Sequence, residues 1–255
     1  MMTYFVDKDS IVRQIWGKSD TILLVFAGAS AEFALNKAVD WLYFTGKLPK
    51  DPLGRLFSTV NYAKLIVFSE RESALSAIDN ISAIHGSVEM KRGKTIPDWA
   101  YKDVLFMLID YSIKSFETLE RPLSIYEKEE VLKVFREVGE RMKLKQLPLT
   151  YNEFEMVRQH HLEGNLYNGD FTKDLYKQYR KHLGFIRYRL LIETQILLLP
   201  DSAREKLNLR RFTLLKPLVL VYKIFRSFKL DWVLKDILLP TAYKADIKHL
   251  NIITE

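Results

Sequence analysis

Apolar residues recur at intervals of three and four along nearly the whole chain, the spacing that lays one stripe along an α-helix. Asp9 followed by Ile11, Val12, Ile15 and Trp16 predicts a short capped helix over 9–16. Residues 21–45 predict a heavily buried helix, bent or interrupted near Gly28-Ala29-Ser30. Asp51-Pro52 is a start signal, a carboxylate N-cap followed by Pro at the first helical position. The helix it opens runs to about Phe68 and carries Arg55, Thr59, Tyr62, Ala63 and Ile66 on related turns. Ser69-Glu70-Arg71-Glu72 has the form of a capping box. It precedes a helix with Leu75, Ile78, Ile81, His85 and Val88 along one stripe. After a loop at 91–94, Pro97-Asp98 opens a helix to about Leu119, and Ser124 precedes one over 125–142. Thr150 and Glu153 form another capping-box pattern, before a helix through His161 and a polar loop at 164–169. Residues 172–183, 185–198, 201–207 and 212–236 predict further helices, with Pro217 starting or kinking the last. No alternating strand pattern, internal repeat or low-complexity linker interrupts this order. The fold class expected is all-α: one helical bundle of roughly ten helices over 1–255.

Composition narrows the chemistry. A hydrophobic fraction of 48% supports a real core, and only 10 Gly and 8 Pro agree with long helices. With no Cys, disulfides, thiolate catalysis and Cys-ligated zinc or iron–sulfur clusters are excluded. The N-terminal residues lack a basic segment followed by an apolar one, so no secretory signal is read. The longest apolar runs are broken by charge, at Glu32, Lys37 and Asp40, and again at Lys216, Lys223 and Arg226. A cytoplasmic protein without a transmembrane helix is expected. The net charge of +7 is uneven: residues 170–255 hold 17 Lys and Arg against 9 Asp and Glu. The stretch from Leu209 through Trp232 mixes these cations with bulky apolar side chains. It reads either as ordinary core helices with snorkelling cations or as a peripheral contact with an anionic membrane. Nucleic-acid binding lacks support, since no recognised binding motif accompanies the basic face.

Three residues stand out. His85 on an apolar helix face reads as a hydrogen-bonded core residue or as the proximal ligand of a haem. Gly86 beside it would let a flat ring approach the backbone. Arg55 and Thr59 are four residues apart and share a helix face. An inward Arg needs an anion, which a haem propionate, a bound oxygen intermediate or a carboxylate such as Asp40 would supply. The adjacent His160 and His161 point about 100° apart on a helix and read as surface residues. No Glu stands three residues before any His, which argues against a ferritin-like di-iron site. GxGxxG, P-loop, HExxH and GxSxG motifs are absent, so nucleotide-dependent and serine-hydrolase chemistry lack support.

The order of motifs resembles a known family. It consists of an apolar helix from Leu23 to Phe44, then Asp51-Pro52-Leu53-Gly54-Arg55-Leu56-x-x-Thr59, then Ile84-His85-Gly86-Ser87-Val88 and Asp98-Trp99-Ala100-Tyr101. Pro122-Leu123-Ser124, Leu147-Pro148-Leu149-Thr150-Tyr151-x-Glu153-Phe154 and Leu198-Leu199-Pro200-x-x-x-Arg204 follow. From about Asp20 to Leu209 this resembles the mpaB/rubber-oxygenase (latex-clearing-protein) catalytic domain family, leaving 210–255 as basic amphipathic C-terminal helices. The resemblance implies an all-α fold enclosing one haem b. It implies oxygenase (oxidoreductase) chemistry with dioxygen on hydrophobic, isoprenoid-like substrates. It makes His85 the proximal iron ligand and Arg55 and Thr59 the catalytic pocket pair. Asp40 and Lys37 lie near where a catalytic carboxylate and a distal lysine would fall. The chain departs from the family at Glu89, where a Gly often stands, and at Leu35-Asn36, in place of His-Pro. The alternative from a different class is a non-catalytic helical binding or membrane-surface protein without haem.

Overall fold

Ser10, rather than Asp9, caps the first helix of the computed structural model: its hydroxyl accepts from the Val12 N–H at 3.1 Å. The structure describes residues 3–46 and 50–227. Among these it contains eleven helices and no sheet, with only isolated bridges at Tyr4–Glu70 and Asn36–Leu166. The all-α expectation holds.

Helix α1 (Ile11–Trp16) leads into α2 (Ser19–Leu35). The expected interruption at 28–30 does not occur; α2 runs through it. The glycine there serves packing instead. A Cβ on Gly28 would lie 2.3 Å from Cδ1 of Tyr111, so its absence lets that ring press on the helix backbone. The real break comes at Asn36, whose backbone is extended and whose side-chain oxygen accepts from the Ala38 N–H at 2.8 Å. Helix α3 (Val39–Phe44) follows.

Helix α4 (Pro52–Phe68) begins as expected, with an Asp51 oxygen accepting from the Gly54 N–H at 2.8 Å. Helix α5 (Arg71–Arg92) does not use the Ser69 capping box; its cap residue is Glu70, which makes no side-chain cap bond. The backbone near the N-terminus takes that role. The Arg71 N–H donates to the Thr3 carbonyl at 2.9 Å, so one orphan donor of the helix start is already satisfied. Gly93 closes α5 at φ +66°, in the left-handed conformation that glycine adopts without strain.

Helix α6 (Asp98–Leu119) is almost entirely buried and packs along α2. Helix α7 (Ile125–Arg141) carries the full capping box of Ser124 and Glu127. Helix α8 (Tyr151–Asn165) is capped by Thr150 and extends one turn beyond the expected end. Helix α9 (Asp170–Leu198) merges the two expected helices across Gly184, whose φ of +71° and ψ of 177° are not helical. The expected break falls on that residue. Helices α10 (Asp201–Lys206) and α11 (Leu215–Ser227) complete the described chain. Pro217 sits in the first turn of α11, so it starts the helix rather than kinks it. The expected continuation of that helix to 236 lies outside the described residues.

One apolar core runs through α1, α2, α4, α5, α6, α7 and α8, with Trp16, Phe106 and Phe154 almost wholly enclosed. Two polar clusters are buried within it. Arg158 of α8 donates to both oxygens of Glu32 at 2.5 Å and to Asp110 at 3.2 Å, and the Tyr111 hydroxyl also donates to Glu32 at 2.9 Å. These bonds tie α2, α6 and α8 together, and each charge meets the partners that burial demands. In the second cluster Asp103 accepts from Asn36 at 2.7 Å and from Asn165, and meets Nδ1 of His161. His161 is therefore a partly buried structural residue, a correction to its expected surface role, whereas its neighbour His160 is exposed. Among the described residues no helix is long and apolar enough to cross a membrane.

Candidate active site

An apolar cavity of about 1270 Å³ is lined by residues of α2, α3, α4, α5, α6, α7, α9 and α11. That exceeds the roughly 300–1,000 Å³ of an ordinary small-molecule site. Its walls come from the inward stripes of each helix: Leu23 and Ala27 of α2, Ile81 of α5, Leu108 of α6 and Leu190 of α9. The few polar groups facing it stand out against this surface.

His85, Arg55 and Thr59 all line this one cavity. The first comes from α5, the other two from successive turns of α4. The Asp51-Pro52 start fixes the phase of α4 and so fixes which of its residues turn inward. His85 Nδ1 is buried and has no hydrogen-bond partner. Its ring stacks edge-on against Tyr101 of α6, with centroids 5.1 Å apart. Burial, and then the Arg55 charge, hold the His85 pKa below its ordinary value, with Glu89 opposing them. The imidazole is thus neutral at pH 7 and offers a nitrogen lone pair, the form in which His ligates a metal.

Arg55 is set in the same apolar wall. Burial pulls its pKa down and Tyr62 offsets this only in part. Among the described residues no carboxylate forms an ion pair with it. The alternative partner, Asp40, instead pairs with Arg92 at 2.6 Å. Thr59 donates its hydroxyl hydrogen to the Arg55 carbonyl at 3.3 Å. Its oxygen keeps lone pairs for another donor.

The remaining candidates separate. Lys37 donates to the Gly164 carbonyl at 2.7 Å in an exposed position, and neither it nor Asp40 lines the cavity. Gly86 is not a cavity residue either, and a Cβ there would meet nothing within 4 Å. The reason given for its smallness therefore finds no neighbour in the structure. Tyr62 and Tyr101, named in the sequence only for helix phase and motif order, and Ser58, not named there, also line the cavity. Their signal was available: Ser58 and Tyr62 stand three and seven residues after Arg55, on its helix face. Glu89 accepts from the Tyr101 hydroxyl at 3.2 Å and from the Ile96 N–H at 2.8 Å. It thus braces the residue on which His85 stacks.

The residues present fit a haem. A haem needs one axial side chain, an apolar cleft and cations for its propionates. The His85 imidazole, which lines the cavity, meets the first requirement, the cavity the second and Arg55 the third. Among the described residues no group of three or more His, Asp or Glu side chains could hold a bare metal ion.

The model of the family described as ER-bound oxygenase mpaB/B'/Rubber oxygenase, catalytic domain, matches residues 15–227. No curated protein and no solved structure matches the chain. That match spans most of the sequence and includes His85, Arg55 and Thr59, so the chain belongs to the mpaB/rubber oxygenase catalytic-domain family.

Proposed function

We propose that this protein is a haem-b-dependent oxygenase that acts with dioxygen on a hydrophobic, isoprenoid-like small molecule. The observation that carries the reading is a neutral, half-buried histidine lining a large apolar cavity beside an arginine that no described carboxylate pairs. The family's description supplies the reaction class.

In this reading His85 would hold the haem iron, and its ring stacks on Tyr101, itself braced by Glu89. Bound haem would supply an iron centre able to engage dioxygen. The chain's own residues supply the surroundings. Arg55 places a fixed positive charge in a low-dielectric wall, where it stabilises negative charge far more than it would in water. Thr59 offers a hydroxyl one turn away for orienting a polar group. Leu23, Ile81 and Leu108 exclude water and favour an apolar substrate by burial alone, at about 25 cal/mol per Å².

The test is an absorbance spectrum of protein expressed with a haem supply, beside the His85→Ala variant. A Soret band is expected in the parent and absent from the variant. Stoichiometric haem retained by His85→Ala would reject the ligand assignment. No band in either protein would favour a binding role without haem.

A further inference from the structure

The cavity lining reaches the surface at α11, as it does at Phe44, Ile84 and Val104. Leu218 and Val221 line it yet stand 56% and 45% exposed, as residues at a rim do. Leading into that helix, Phe212 is 82% and Leu214 64% exposed. Phe185 and Ile186, 67% and 76% exposed, lie between Leu183 and Arg187, which both line the cavity. Soluble surfaces tolerate single exposed apolar residues but rarely rings of them around one opening.

Cations outnumber carboxylates around this rim, where Glu193 pairs with Arg210 and Asp20 meets Tyr222. Residues 180–191 and 210–223 contain eight Lys and Arg and no Asp or Glu. Arg180, Lys181, Arg189, Arg211 and Lys216 are exposed. The segment is held firmly: Glu193 accepts from the Leu214 N–H at 2.8 Å, and the Tyr222 hydroxyl donates to Asp20 at 2.9 Å. Bulky apolar side chains interleaved with cations match a lipid interface, with rings and Leu side chains among acyl chains and cations on anionic headgroups.

We propose that the face formed by the Gly184 kink of α9, residues 210–214 and α11 docks on an anionic lipid bilayer, with the cavity rim at α11 turned toward it. The proposal deepens the functional reading by naming where an apolar substrate would be met, but the docking itself does not depend on haem. A second copy of the chain would suit the apolar residues. It does not suit the charge, because a symmetric contact would bring the exposed Arg180, Lys181, Arg189, Arg211 and Lys216 against their own copies.

The full chain is sedimented with phosphatidylcholine vesicles, with and without about 30% phosphatidylserine, at low and high salt. Pelleting with the anionic vesicles and weakening in salt are expected. Arg211→Glu with Lys216→Glu should weaken binding roughly tenfold or more, as should Phe212→Ser with Leu214→Ser. Lys145→Glu, an exposed cation outside the rim, should leave it unchanged. His85→Ala should pellet like the parent, which separates failure of the haem reading from failure of docking. The proposal is overturned if the chain stays in the supernatant or if both paired variants pellet like the parent. It is equally overturned if gel filtration gives a dimer that the Phe212 and Leu214 changes convert to monomer.

Discussion

His85 is where burial and charge act most directly on one side chain, and they make stability depend on pH in a defined direction. Burial and the nearby Arg55 lower its folded-state pKa, while the unfolded chain titrates near about 6.5. Above that pH neither state binds the proton. As pH falls through about 6.5 the unfolded chain takes a proton that the folded chain refuses, so stability is lost down to the folded pKa. Urea unfolding of the haem-free protein at about pH 7.5 and pH 5 should lose more stability than His85→Gln loses. Equal losses in the two proteins would mean that His85 is charged or solvated in the folded state. Helical phase puts Arg55 and Thr59 on one face and His85 on an apolar stripe, but it was the family resemblance that singled these three out. The Glu32–Arg158–Asp110 cluster was not legible in the sequence. Its members come from three helices, and nothing local signals that Arg158 is 5% exposed and fully paired. The same holds for His161, whose Asp103 partner is 58 residues away.

At the scale of elements, glycine separates what local sequence can and cannot tell. Gly184 divides two helical runs, and the break expected there is a true backbone departure in a region essentially restricted to glycine. Gly28 looked like a similar break, but its role is to admit the Tyr111 ring from α6, a contact invisible to local pattern. Gly86 is helical and faces open space. Alanine at 184 and at 86 should therefore act with opposite signs. Gly184→Ala should cost about 1–3 kcal/mol through backbone strain. Gly86→Ala should gain about 0.5–1 kcal/mol by lowering the entropy of the unfolded chain. Urea midpoints measure both, and a neutral Gly184→Ala would mean that α9 straightens at little cost. Capping was read with similar selectivity. Asp51, Ser124 and Thr150 cap as expected because their bonds are local. The Ser69 box fails because a carbonyl from Thr3, distant in sequence, reaches the start of α5 first.

For the molecule as a whole, the cavity is the feature that most needs an energetic account. Protein interiors are close-packed, with few voids larger than a water molecule, yet about 1270 Å³ stands open among the helices. Side chains lining such a space lose the dispersion contacts that a filled interior supplies. A ligand that fills it binds the folded chain and not the unfolded one, so it raises stability by mass action, about 2.7 kcal/mol at a hundred times its Kd. In a domain of this size, roughly 2–4 °C of Tm accompanies each kcal/mol, so haem loading should raise Tm by roughly 5–10 °C. A filler substitution should reproduce part of this without ligand. Ala27 of α2 is buried and lines the cavity. Ala27→Phe should gain up to about 1.5–3 kcal/mol from burying the new ring. It should also shrink the shift that haem produces, because the two compete for one space. Calorimetry of the four samples, parent and variant with and without haem, reads both effects. Coincident melting of loaded and unloaded parent would mean that haem does not occupy this cavity. A higher Tm for Ala27→Phe with an undiminished haem shift would put the two in separate parts of it.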